Sequence, residues 1–98
     1  MARSRPITDM YIAAVEQAVA SPGRWIEIPR RFRTEFNAKM TADCLRGGYL
    51  RVEVRPGDTP VVVAGKRYLK TPARVLARVE HDREGWLVRI QSPPDPPR

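Results

Sequence analysis

Few side chains in this sequence have the types and spacing that catalysis requires. There is one histidine, His81, and one cysteine, Cys44. His81 precedes Asp82 in a predicted turn, where neighbouring side chains diverge and do not form a catalytic pair. Cys44 falls on the apolar side of a predicted helix, which favours an inert, packed thiol. Without a second histidine or cysteine the spacing of a metal site is missing. The sequence therefore predicts a protein that is not an enzyme and has no cofactor.

Arginines offer the remaining chemistry, and a first cluster surrounds Trp25 and Phe32. Its members are Arg24, Arg30, Arg31 and Arg33. Guanidinium groups form paired hydrogen bonds with phosphate, and aromatic rings stack on unpaired bases. The alternative is that Phe32 packs against the helix that follows and that the arginines are only hydrated.

A second set of arginines falls on the outward face of predicted strands. Its members are Arg51, Arg55, Arg74, Arg78 and Arg89. A basic ribbon of this kind could follow a nucleic-acid backbone. Glu53 and Glu80 interrupt it, however, so cross-strand salt bridges on a hydrated face are the alternative explanation.

The composition describes the kind of protein that must position these groups. A chain of 98 residues, 42% hydrophobic and 30% charged, is expected to form one small globular domain. The formal charge of +7 favours nucleic acid or acidic protein surfaces as partners. Arginine supplies 15 of the 18 basic residues, which is also typical of a high-GC genome. The single cysteine, and the lack of an apolar signal core or membrane-length apolar run, predict a cytoplasmic protein.

The elements that hold these residues are organised around a strand, a helix and a second strand between Gly23 and Arg55. Before this unit, residues 1–7 are a predicted loose lead-in. Thr8 is the predicted cap of a first helix, because its hydroxyl can accept a hydrogen bond from the first turn. Ser21-Pro22-Gly23 ends that helix, since proline cannot continue the hydrogen-bond ladder.

In the central helix, residue spacing predicts which side is buried. Thr34 is the expected N-cap, and Gly47-Gly48 ends the helix. Phe36, Met40 and Cys44 lie four residues apart, with Leu45 beside them, and these four therefore form the predicted buried stripe.

Two hairpins are predicted after the central unit. Gly65-Lys66 is the expected turn of the first hairpin, with glycine in its first position. In the second, a longer turn places Val79 opposite Trp86, and apolar residues then share one face of the pair. The same register leaves Leu76 and Leu87 on the otherwise polar face, where they are candidate interface residues.

The resulting element order is α-β-α-β-β-β-β-β. We expect a single α+β domain over residues 1–92, with two helices on one face of a mainly antiparallel or mixed sheet of about five strands. Residues 93–98 are a predicted proline-rich tail that cannot join a sheet. A winged helix-turn-helix is disfavoured, because a strand separates the two helices and the second helix presents a charge-balanced face.

Four segments of the sequence carry a family resemblance. They read GRWIEIP, NAKMTADCLRGGYLRV, GKRYLKTPARVLARVE and GWLVRI, and the likeness extends over residues 12–90. The chain resembles small, mostly uncharacterised accessory proteins of actinobacteria and their phages. The resemblance implies an origin in a high-GC host and DNA or a host protein as the partner. It brings no catalytic residue with it.

The sequence therefore predicts a small basic module that binds nucleic acid through arginine–phosphate contacts. Arg30, Arg31 and Arg33, together with the arginines of the strands, are the expected contacts. The alternative is an accessory protein that binds and perturbs a host protein through the sheet edge or through Leu76 and Leu87. A third possibility is that the same two leucines hold a homodimer together.

Overall fold

The computed structural model describes residues 6–52 and 54–94. These ranges contain two helices and six strands, which are α1 (Pro6–Ala20), β1 (Ile26–Glu27), α2 (Glu35–Gly47), β2 (Tyr49–Leu50), β3 (Pro60–Val63), β4 (Lys66–Lys70), β5 (Leu76–Asp82) and β6 (Gly85–Gln91). Within them, no helix is long and apolar enough to cross a membrane.

The strands form two small sheets. The first sheet has the order β1-β6-β5 and the second has the order β2-β4-β3. All the strand pairs of the described chain are antiparallel. The predicted α+β class is confirmed. The expectation of one sheet is corrected, because β1 and β2 pair with different partners and belong to separate sheets.

One apolar core joins the helices to the first sheet. α2 packs on β5 and β6, and α1 packs on β1 and β6. The fully buried side chains come from both helices and from the first sheet with the residue that follows β1. They include Val15, Ala18, Ile28, Ala38, Ala42, Leu45, Val88 and Ile90. Each large apolar side chain buried in this way contributes about 1.5–3 kcal/mol of transfer free energy, so this cluster is the main source of stability.

The first helix starts earlier than its sequence indicates. α1 begins at Pro6, and Thr8 is buried inside it rather than capping it. Proline is well suited to the first turn, because the N–H that it lacks would have no helical partner there. The predicted lead-in is therefore too long by two residues, and residues 1–5 lie outside the described chain.

Both predicted ends of α2 are confirmed. Thr34 is extended, and its hydroxyl accepts a hydrogen bond from the Asn37 N–H at 3.2 Å. Gly48 adopts the left-handed conformation with φ 82°, and its N–H donates to the carbonyl of Leu45 at 3.1 Å. Glycine accepts this φ without steric cost, so the helix stops there.

The predicted buried stripe of α2 is wrong in its first residue. The side chain of Phe36 is 69% exposed, whereas Ala38, Ala42 and Leu45 are fully buried. Small alanines allow the helix axis to approach the sheet closely, which turns Phe36 outward. Cys44 and Leu45 are buried, as predicted, and Met40 is half-buried.

The turn of the first hairpin lies one residue earlier than predicted. Val63 pairs with Lys66, so the two turn residues are Ala64 and Gly65. Both have positive φ, 52° and 78°. A two-residue turn with positive φ at both positions matches the right-handed twist of the strands, and glycine takes its second position without steric cost.

The register of the second hairpin differs from the prediction by two residues. Val79 pairs with Val88, and Trp86 pairs with His81. A shift of two residues keeps each side chain on its expected face, because side chains alternate along a strand. Asp82 pairs with Gly85, which leaves a two-residue turn. Gly85 has φ 128°, and a β-carbon there would lie 2.8 Å from the carbonyl oxygen of Phe32, whose backbone exchanges two hydrogen bonds with Trp86.

Candidate nucleic-acid interface

An ion-pair network covers part of the outer face of the first sheet. It contains Arg31, Arg78, Arg89, Glu27, Glu80, Asp82 and Glu84. Arg31 donates two hydrogen bonds to Asp82, at 2.8 and 3.3 Å. Arg89 lies 3.3 Å from Glu27 and 3.0 Å from Glu80. Arg31, Arg78 and Arg89 therefore form salt bridges on this face, which is the alternative explanation.

The ion pair between Arg31 and Asp82 shifts the pKa of both side chains. The hydrogen bond from Arg31 holds the pKa of Asp82 below its usual range, and the backbone N–H of Glu84 contributes in the same direction. The same contact with Asp82 raises the pKa of Arg31. An arginine that already has carboxylate partners offers little net charge to a phosphate.

The aromatic residues of the first predicted cluster are also engaged. Phe32 is buried, and the guanidinium of Arg30 lies 5.0 Å from the centre of its ring. The guanidinium of Arg78 lies 4.2 Å from the centre of the Trp25 ring. Phe32 is therefore not available for an unpaired base to stack on, and Arg78 occupies one face of the half-buried Trp25 ring.

The remaining predicted contacts are dispersed over the molecule. Arg24 and Arg33 are exposed beside β1 and before α2, respectively, and Arg74 is exposed beside Gly48. Arg51 and Arg55 follow β2, which ends at Leu50, and Arg74 precedes β5, which begins at Leu76, so these three lie in loops rather than on strands. Glu53, the predicted interruption between them, lies outside the described residues. The nine predicted arginines therefore do not form one surface.

The β3–β4 hairpin carries basic residues that the sequence analysis did not single out. Lys66, Arg67 and Lys70 are all exposed. No ion pair in the described part of the chain involves them. We call this hairpin, residues 60–70, the basic arm. Its signal was present in the sequence, because residues 59–79 contain five basic residues and no acidic one.

Strand register distributes these charges over both sides of the basic arm. Lys66 and Lys70 share one face with Tyr68, whereas Arg67 lies on the other face opposite Val62. Tyr68 packs against Tyr49 of the neighbouring strand, with 4.9 Å between ring centres. The arm thus presents positive charge in two directions while its aromatic residue is used for packing.

The basic arm is attached to the rest of the protein at one end. β4 pairs with β2, and the buried side chains of Leu69 and Leu50 anchor that end in the core. Towards the turn the hairpin leaves the core, and the side chain of Val62 is 68% exposed. The positive charges near the turn are therefore carried on a projecting two-stranded ribbon.

The two residues considered for catalysis have structural partners. His81 lies in β5 rather than in a turn, and its ring stacks on Trp86 with 4.3 Å between ring centres. Asp82 binds Arg31 instead of His81. Burial raises the pKa of the Cys44 thiol. Among the described residues, no group of three histidine, cysteine or acidic side chains could hold a metal ion.

Comparisons with known proteins add no candidate function. No family model, no curated protein and no solved structure matches this chain. The resemblance to small proteins of actinobacteria and their phages stays a prediction. The distribution of charge over the surface is therefore the main basis on which a function can be proposed.

Proposed function

We propose that this protein is a non-enzymatic module that binds nucleic acid through its basic arm. The separation of charges carries the proposal. Acidic side chains of the first sheet are taken up by Arg31, Arg78 and Arg89, whereas Lys66, Arg67 and Lys70 have no acidic neighbour along a run of 21 residues, 59–79. An uncompensated cluster of this kind attracts the phosphate backbone.

The shape of the basic arm favours duplex DNA within the class of nucleic acids. The major groove of B-DNA is about 12 Å wide and admits a two-stranded ribbon, whereas the corresponding groove of A-form RNA is too narrow. Charges on both faces of the arm would meet the phosphates on both sides of the groove. Since Tyr68 packs on Tyr49, stacking on single strands is not the mode that this surface supports.

The alternative of a host-protein partner keeps the sheet edge but loses one of its two apolar residues. Leu87 is only 3% exposed, so it is buried and not exposed as expected. Leu76 is 47% exposed and remains by itself. The homodimer hypothesis depended on the same pair and is weakened equally. Cytoplasmic location is part of the proposal, supported by the single cysteine.

The test is a binding titration with a labelled duplex of mixed sequence at about 50 mM salt, where phosphate contacts are strong. The triple variant Lys66→Gln, Arg67→Gln, Lys70→Gln is expected to bind at least about tenfold more weakly than the unmodified protein, because it loses three phosphate contacts. For the unmodified protein, log K should fall against log salt concentration with a slope of about −3.

A matched control removes the same charge elsewhere. The variant Arg24→Gln, Arg33→Gln, Arg83→Gln alters three exposed arginines outside the basic arm and should retain most of the affinity. Equal weakening of both variants would show that net charge alone attracts DNA and that the arm has no special role. If the unmodified protein binds neither DNA nor RNA at this salt concentration, the proposal is wrong.

A further inference from the structure

A cleft beside α2 lies apart from the basic arm and has a composition of its own. It consists of two hollows of about 320 Å³ each, and Arg30, Thr41 and Arg51 line both of them. Shared walls mean that the hollows adjoin. Volumes of this size are at the lower end of those that hold small molecules. We refer to the two hollows together as the cleft.

The first hollow has a polar, donor-rich wall. Besides the two guanidinium groups of Arg30 and Arg51 it has the Asn37 amide and the Thr41 hydroxyl. No carboxylate lines it within the described chain. Four groups that can donate hydrogen bonds, two of them charged, would suit a carboxylate or phosphate group.

Both arginines of the cleft are positioned by weak or neutral partners. Arg30 donates to the hydroxyl of Tyr11 at 3.1 Å, and Arg51 donates to the thioether sulfur of Met40 at 3.1 Å. Thioether sulfur is a weak acceptor. An anion would offer Arg51 a much stronger charge-assisted hydrogen bond. This is the reverse of Arg31, whose guanidinium already has three carboxylates around it.

The second hollow is mainly apolar and lies against the core. In addition to the shared residues it is lined by Ile7, Tyr11, Cys44, Leu50 and Val52. An apolar body of a ligand would find dispersion contacts there, and its removal from water would add binding free energy. A bare inorganic anion would leave this hollow unused.

We propose that the cleft binds a small amphipathic anion, with its carboxylate or phosphate group between Arg30 and Arg51. The compact apolar body of the ligand occupies the hollow beside Leu50 and Val52. This site is independent of the proposed DNA contact, which uses Lys66, Arg67 and Lys70 on a different element.

The test compares ligands that share a tail and differ in the head group. Octanoate and octyl phosphate are the probes, octanol and octylamine are the tail-matched controls, and inorganic phosphate is the head group alone. Binding is followed by amide shifts in two-dimensional NMR spectra, with Thr41, Cys44 and Leu50 as reporters. The two anionic amphiphiles should bind at least about tenfold more tightly than each control, because only they use both hollows.

Two substitutions separate the contributions of charge and apolar volume. Arg51→Gln should weaken the binding of octanoate by about tenfold or more, whereas Arg33→Gln, an exposed arginine outside the cleft, should leave it unchanged. Val52→Phe should weaken octanoate by filling the apolar hollow. Arg51 is exposed and Val52 is only partly buried at the margin of the core, so both variants should fold.

Three outcomes would overturn the proposal. Octanol that binds as tightly as octanoate would show a plain apolar pocket, and amide shifts that are absent with both anions would show that there is no site. Displacement of octanoate by duplex DNA would show that the cleft is part of the DNA surface. Octanoate binding that survives Lys66→Gln, Arg67→Gln, Lys70→Gln would keep this site separate even if DNA binding fails.

Discussion

The interactions of Arg31 in the folded protein differ from those that its neighbours in the sequence predict. In the sequence it is the centre of a basic cluster with Arg30 and Arg33. In the folded chain Asp82 and Glu84, about fifty positions away, approach its guanidinium to 2.8 and 3.7 Å. The sequence thus shows that an arginine can donate hydrogen bonds, but tertiary contacts decide which acceptor it binds.

The pairing of Arg31 with Asp82 predicts a dependence of stability on pH. Because the folded protein holds the pKa of Asp82 low, this contact stabilises the fold fully above about pH 4, the unfolded-state pKa of aspartate. Its contribution is lost as the pH falls from there through the lower folded-state pKa. Asp82→Asn should therefore reduce the urea midpoint of unfolding at pH 7 and make much less difference near pH 2.

A control for this experiment is Glu16→Gln on the exposed side of α1. It removes one carboxylate that has no ion pair in the described chain, so its effect on the urea midpoint should be small. An Asp82→Asn difference that is as large at pH 2 as at pH 7 would contradict the electrostatic origin of the effect.

At the scale of elements, α2 shows that regular spacing alone does not decide which face of a helix is buried. The four-residue spacing of Phe36, Met40 and Cys44 is compatible with a buried stripe, but the alanines at 38 and 42 provide a flatter surface. Close packing of the helix on the sheet favours the small residues. The large ring of Phe36 then points away from the core.

The orientation of α2 predicts effects of very different size for two apolar truncations. Leu45→Ala should lower the free energy of unfolding by about 2–5 kcal/mol, because it opens a cavity in a fully buried position. Phe36→Ala should change it by only about 0.5 kcal/mol, since most of that ring is already in water. Denaturant titration of both variants provides the measurement. A larger loss for Phe36→Ala than for Leu45→Ala would mean that the helix is rotated.

At the scale of the whole molecule, the separation of charges is the property most relevant to function. Carboxylates of the first sheet are paired, while residues 59–79, which include the basic arm of the second sheet, contain no carboxylate. A formal charge of +7 is therefore expressed unevenly over the surface. Fields concentrated in this way steer anionic partners to one side of a protein.

Binding to the folded arm predicts that DNA stabilises the whole protein. At a free duplex concentration of about 100 times Kd, the free energy of unfolding should rise by about 2.7 kcal/mol, provided that the unfolded chain does not bind. Thermal unfolding with and without duplex measures the effect. High salt should abolish it, because the phosphate contacts weaken. Stabilisation that is unchanged in Lys66→Gln, Arg67→Gln, Lys70→Gln would place the contact elsewhere.

The sequence is sufficient to predict those features that depend only on residues that are close together along the chain. Thr34 as a cap, Gly48 as a helix end and the α+β class follow from hydrogen-bonding groups, glycine conformation and alternation, and all three are confirmed. The turn at Ala64-Gly65 is displaced by one residue, because it follows from the register in which β3 and β4 pair, with Val63 opposite Lys66.

Tertiary structure alone decided which arginines have partners and which surface is left uncompensated. Arg31, Arg78 and Arg89 meet carboxylates from other segments, and such meetings depend on strand register, which one turn residue can shift. The cleft between Arg30 and Arg51 likewise exists only because α1, α2 and the chain after β2 converge. Charge and spacing in the sequence determine which interactions a side chain is capable of. Its neighbours in the folded chain determine which of these interactions it makes and whether it is left to bind a partner.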